Sequence, residues 1–205
     1  MFKDKTVLEF VNQAASNEPT PGGGSIAALN GAIAYSLAQM VANLSIGKEK
    51  YAEVETEMKA LVEKTESLRQ DLLNDIDKDA SSFDEVMKAF KLPKSTDEEK
   101  KARSAKIQAG YKYAASVPLS VAKKQVEAMD LIEFVVKHGN KNAVTDGLVA
   151  MMNARTGCLG ALLNVKINLG SIKDQEFVAD YKVQIEKLEQ EAISRELELL
   201  KNTTV

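Results

Sequence analysis

The sequence is poor in the residues that staple small folds or ligate metals. Its 205 residues include one cysteine, Cys158, and one histidine, His138. A lone cysteine excludes an intramolecular disulfide and fits a reducing compartment, so a cytoplasmic location is expected. No metal-ligand cluster is visible, and neither a His–Cys nor a Ser–His pairing can be argued. There is no excess of positive charge. The net charge is −3, with lysines interspersed among acids, which argues against a nucleic-acid partner. The start, "MFKDK", has no apolar core of the kind a secretory signal carries, so none is expected. Residues 19–47 carry no charge at all, which suits a membrane span by length. Yet Asn30, Ser36, Gln39, Asn43 and Ser45 interrupt that stretch, and Gly and Ala dominate it. We read a buried helix and expect no membrane.

Two-residue alternation is missing too; the apolar spacing is helical almost throughout. A short first helix spans about Thr6 to Ser16. Ser25 is the expected N-cap of a second helix reaching Ile46, and Gly47 breaks the chain. A long third helix covers about Lys50 to Phe90. Its stripe is Val54, Met58, Leu61, Thr65, Leu68, Leu72, Ile76, Phe83, Met87 and Phe90, in steps of mostly three and four. Ser95–Glu98 or Thr96–Glu99 forms a capping box for the next helix. Pro118 should kink or split that helix, which resumes to about His138. Thr145 or Asp146 caps another helix reaching Asn168, and a charged amphipathic helix closes the chain. No repeat or linker divides residues 1–205. The expectation is a single all-α domain, a bundle of long, mostly antiparallel helices.

Prolines and glycines are scarce, yet two of the four prolines and three of the eleven glycines fall within "PTPGGGS" at 19–25. Adjacent glycines carry an entropic cost, so this loop needs either unusual dihedrals or absent side chains. It is no phosphate loop, since no Gly-Lys-Ser/Thr comes after it and no strand precedes. On the third helix, Asp79 is three residues after Ile76 and four before Phe83. It either sits on the apolar seam, with Asp75 one turn before it, or lies on a wet flank while Ala80 takes the core seat. On the seam its pKa rises, which suits a general acid or base. Thr156, Gly160, Asn164 and Asn168 share one helical face, and the two amides either read a polar ligand or bond to neighbouring backbone. Ala27, Gly31, Ala34 and Ala38 form a small-residue face for close helix packing. Lys48, Lys50, Lys91 and Lys94 flank loops, where they are solvated or hold an anionic ligand.

Three segments carry a resemblance to a known family. They are "PTPGGGSIAALNGAIAYSLAQMVANLSIGKEKY", "DASSFDEVMKAFKLPK", and "HGNKNAVTDGLVA" with "GALLNVKINL". Together they resemble the cyclodeaminase/cyclohydrolase family of folate enzymes over about residues 6–190. The resemblance implies an all-helical, dimerising fold with a folate cleft lined by the glycine loop. Matching positions are Gly22, Gly23, Gly24 and Ser25; Asp79; Lys91 and Pro93; Asn140 and Asp146; and Asn164 and Asn168. Thr145 stands where serine is common, and His138 has no counterpart.

The same resemblance implies an enzyme acting on the N5–N10 bridge of tetrahydrofolate. Asp79 and Asp146 are its expected catalytic carboxylates. The expected substrate-binding residues are Gly22, Gly23, Gly24, Ser25, Lys48, Lys91, Asn140, Asn164 and Asn168. The first expectation is hydrolysis of 5,10-methenyltetrahydrofolate to 10-formyltetrahydrofolate. The alternatives are formiminotetrahydrofolate cyclodeaminase and a non-catalytic helical module. Neither metal nor cofactor is expected beyond the folate substrate, with or without a polyglutamate tail. Expected partners are a second copy of the chain and a separately encoded formiminotransferase.

Overall fold

A computed structural model describes residues 1–204. Among the described residues six α-helices succeed one another: α1 Val7–Ala14, α2 Gly23–Asn43, α3 Glu55–Phe90, α4 Asp97–His138, α5 Val144–Leu169 and α6 Gln175–Asn202. Short 3-10 turns at Phe2–Asp4, Glu49–Val54 and Lys141–Ala143 join or precede them. Among the described residues there is no strand. Thr6 caps α1 and Thr96 caps α4, each with a reciprocal glutamate three residues on.

α2 is the central helix, packed on α3, α4 and α5. Its fully enclosed side chains include Tyr35, whose hydroxyl donates to the Lys124 carbonyl at 2.8 Å. Helices consecutive in the chain, α2 to α5, are antiparallel, so α2 and α4 run parallel, with Ala27 beside Gln125 and Val41 beside Gly139. Ser25, Gly31 and Gln39 of α2 meet Ile76, Leu72 and Glu66 of α3, so one numbering rises as the other falls. α3 and α4 pair Asp75 with Lys124 and Val86 with Gly110. α4 and α5 pair Ala114 with Asn168 and Val136 with Gly147.

Gly31 and Gly157 serve the close packing expected of small residues. A Cβ at either would overlap the Gln125 side-chain amide. Gln125 is fully buried between them and donates from Nε2 to the Ala27 carbonyl at 2.9 Å. The three helices α2, α4 and α5 are thereby keyed at one point.

Several expectations are corrected. Ser25 does not cap α2: the helix begins two residues earlier, behind Gly22, and the Ser25 hydroxyl turns inward to the Ile76 carbonyl at 2.9 Å. α2 ends at Asn43 rather than Ile46, and the turn beyond uses Gly47 at φ 74°. A 3-10 turn replaces the first residues of the third helix. Neither Thr145 nor Asp146 caps α5, which starts behind Ala143; both lie in its first turn. Pro118 does not split α4. It does leave the Ala114 carbonyl without an i+4 donor.

The third helix's stripe also changes character. Met58, Leu61, Thr65, Leu72 and Ile76 are buried, but Phe83, Met87 and Phe90 are 42–43% exposed. The buried positions past Asp79 are instead Ala80, Ser82, Val86 and Ala89. The cause is length. α2 begins level with Asp79, so α3 runs on for about three turns without α2 beside it.

Candidate active site

The start of α2 lies between a carboxylate of α3 and an amide near the end of α5. Asp79 faces Gly24, and a Cβ there would collide with its carboxylate oxygens. The Ser25 hydroxyl lies 3.4 Å from Asp79 Oδ2, and the Ser25 backbone N–H also bonds this side chain. That N–H belongs to the first turn of α2, where no intrahelical acceptor exists. Gly24 is therefore the close-approach position: a side chain there would displace the Asp79 carboxylate from the helix end.

Two influences on Asp79 oppose each other. Burial disfavours its charged form and prevails, holding the pKa above the ordinary aspartate value. The Ser25 hydroxyl and N–H favour the anion and temper the rise, while Asp75 one turn earlier adds to it. Asp75 is itself buried and pairs with Lys124 at 2.5 Å. Helical spacing placed Asp75 beside Asp79 but offered no signal for Lys124, 49 residues away. Both options for Asp79 hold in part: Ala80 takes the core seat, and Asp79 is half-buried beside it.

The α5 amides arrive on the other side. A Cβ on Gly23 would stand 3.2 Å from Asn164 Nδ2. Asn164 Nδ2 donates to the Gly160 carbonyl at 2.9 Å. Asn168 Nδ2 donates to Asn164 O at 2.9 Å and to Ala114 O at 3.1 Å. Both amide nitrogens are thus held by backbone, which leaves the Oδ1 atoms as acceptors. Gly22 caps the helix and completes the rim.

The remaining expected residues lie elsewhere in the chain. Asp146 is half-buried in the first turn of α5, eighteen residues before Asn164, about 27 Å along the helix. Asn140 is buried at that same far end. Its Nδ2 donates to Leu44 O at 3.0 Å, its Oδ1 accepts from Asn142 N, and its N–H donates to the Ser45 hydroxyl. Lys48 is exposed just past the end of α2. Lys91 is exposed at the end of α3, twelve residues and about 18 Å beyond Asp79. Within one chain, Asp146, Asn140 and Lys48 are therefore not brought to Asp79.

Other features are less apt. Cys158 is buried in α5, where burial pushes its thiol up to about 12. His138 ends α4 against the Phe134 ring. Among the described residues no three His, Cys, Asp or Glu side chains are grouped to hold a metal ion. A cavity of about 670 Å³ opens between the ends of α4 and α6, but its Arg195 is already engaged by Glu133, Asp130 and Glu191.

A half-buried carboxylate with a raised pKa, set at a helix N-terminus whose next glycine faces an asparagine amide, defines a helical-bundle protein with a polar cluster of the kind that suits proton transfer. Comparison with known proteins narrows that class. The formiminotransferase-cyclodeaminase family model matches residues 6–187, and the chain belongs to this family. The methenyltetrahydrofolate cyclohydrolase of Methylorubrum extorquens is 44% identical over 192 residues, 94% of this chain and 92% of that protein. The formimidoyltransferase-cyclodeaminase of Sus scrofa is 34% identical over 92% of this chain, which spans 35% of that longer protein. The crystal structure of formiminotetrahydrofolate cyclodeaminase from Thermotoga maritima superposes with a TM-score of 0.88 at 32% identity, covering 98% of this chain and 96% of that one.

Proposed function

We propose that this chain hydrolyses 5,10-methenyltetrahydrofolate to 10-formyltetrahydrofolate. The observation that carries the reading is Asp79, seated against the glycine end of α2 with its pKa raised by burial. The 44% identity to a methenyltetrahydrofolate cyclohydrolase supplies the substrate. In this reading, ionised Asp79 takes a proton from water as its oxygen attacks the methenyl carbon. The tetrahedral carbinolamine then opens at the C–N5 bond, N5 receives the proton from Asp79, and the hydroxyl proton leaves to form the formyl group on N10. One proton is released overall. Asn164 Oδ1 accepts from a pterin N–H, and the N–H groups beside Gly23 approach the ring where no Cβ obstructs. Lys91 lies on the tail side, beyond Asp79 on the same helix.

The second reading, cyclodeamination of 5-formiminotetrahydrofolate, is favoured by the Thermotoga maritima structure and uses the same carbon and the same proton carrier. That reading calls for a separate formiminotransferase to supply its substrate. Side-by-side assays with both substrates decide between the two. Loss of the methenyl chromophore without ammonia release marks the hydrolase, and ammonia release marks the deaminase.

We also infer a cytoplasmic homodimer. α2 exposes Ile33 and Met40, with Leu44 just past its end, and α5 exposes Val149, Met152, Leu163 and Ile167. These antiparallel neighbours form one apolar face, and its α2 half has no charge. Its length suits a second copy of the same face.

A further inference from the structure

Past Asp79 the inward stripe of α3 has no α2 opposite it, and its large side chains stay open. Phe83 is one turn beyond Asp79, 43% exposed, and in line with buried Leu72 and Ile76 on the same helix. An aromatic ring on an inward stripe, one turn beyond a half-buried carboxylate that faces a helix end without Cβ atoms, has the surroundings of a ligand platform rather than of a surface residue. Phe90, two turns further, is already occupied: Tyr111 meets its ring edge-on at 6.3 Å, and the Arg103 guanidinium lies 5.5 Å from its centroid. Among the described residues Phe83 has no aromatic or cationic partner of that kind.

We propose that Phe83 is the face on which the planar ring system of the substrate lies, with the reacting bridge directed toward Asp79. The inference rests on the folate reading above and adds a binding residue to it. Four residues, about 6 Å, separate Phe83 from Asp79 along α3, close to the reach between a stacked ring and a reacting atom at its edge. Met87, one turn further and equally exposed, extends the apolar floor toward Lys91. A stacked ring has little dependence on hydrogen bonding, so Phe83 governs affinity, while proton transfer stays with Asp79.

The test uses the absence of tryptophan from the chain. Phe83→Trp installs the sole indole at the site, and titration with 5-formyltetrahydrofolate is read by its fluorescence. Quenching that saturates with a Kd near wild type is expected. Phe83→Ala should raise the Kd and KM by about tenfold, with kcat and melting temperature little changed, and Phe83→Tyr should restore affinity. Wild-type affinity in Phe83→Ala, or an indole blind to a ligand that calorimetry shows to be bound, overturns the proposal alone. So does a change of oligomeric state in Phe83→Ala with unaltered Kd. If wild-type protein neither binds this folate nor turns over either one-carbon substrate, the folate reading falls and this proposal falls with it.

Discussion

Asn168 supplies the donor that Pro118 withholds. Its Nδ2 sits 3.1 Å from Ala114 O, the carbonyl four residues before the proline. A helix that crosses a proline without splitting needs such a repair, and here it comes from the neighbouring helix. Asn168→Ala should therefore cost about 1–2 kcal/mol, read as a lower midpoint in urea. In a Pro118→Ala background the N–H returns, and the same substitution should cost measurably less. Equal losses in both backgrounds would show that Asn168 acts elsewhere.

Asp79→Asn should lower turnover by about 10²–10⁴-fold in a folded protein. It should also stabilise the fold at neutral pH. A raised native pKa means that the folded state binds the proton more tightly than the unfolded chain. The ionised side chain therefore destabilises the fold above the native pKa, and that penalty fades as pH falls toward the unfolded value of about 3.9. The stability gap between variant and wild type should shrink along the same path. A gap independent of pH contradicts the burial of this charge.

The three glycines should differ in effect. Gly24→Ala drives a methyl into the Asp79 carboxylate and should reduce kcat most. Gly23→Ala meets Asn164 Nδ2 at 3.2 Å and should act chiefly on KM. Gly22→Ala finds only the Pro19 carbonyl at 3.4 Å and should be mildest. Steady-state kinetics on the three variants gives the order directly.

Ile33→Glu or Met152→Glu should turn a dimer into a monomer in sedimentation, because each places a charge on the apolar face of α2 and α5. An antiparallel pairing of these faces brings the far end of one protomer, with its Asn140 and Asp146, toward Asp79 of the other. In that arrangement, mixing Asp79→Asn with Asp146→Asn chains restores part of the activity in the mixed dimer. A parallel pairing restores none.

Much of the bundle was legible in the sequence. Steps of three and four marked the helices, and the spacing of Asn164 and Asn168 correctly put them on one face. Periodicity names a face but not where the opposing helix stops, and so Phe83 and Met87 read as core although α2 ends short of them. Ser25 read as a cap because hydroxyls cap helices, yet its hydroxyl is turned inward to Ile76. The Lys124–Asp75 pair joins residues 49 apart and left no local trace. Motif order likewise said nothing of which end of the bundle each motif occupies, and Asp146 lies far from Asp79 in the same chain.

Gln125 meets neither Asp79 nor the rim glycines, yet it indexes them. Gly31, against which it is wedged, lies seven residues from Gly24, about 10.5 Å along α2. A helix can slide along its neighbours more easily than it can deform. A side chain lodged between two glycines on different helices works as a detent against such sliding. The axial setting of the α2 end relative to Asp79 is thus fixed two turns inside the bundle. A methyl group added at Gly31 or Gly157 would press on buried Gln125 and be felt as a loss of stability and, through the displaced α2 end, as a loss of turnover.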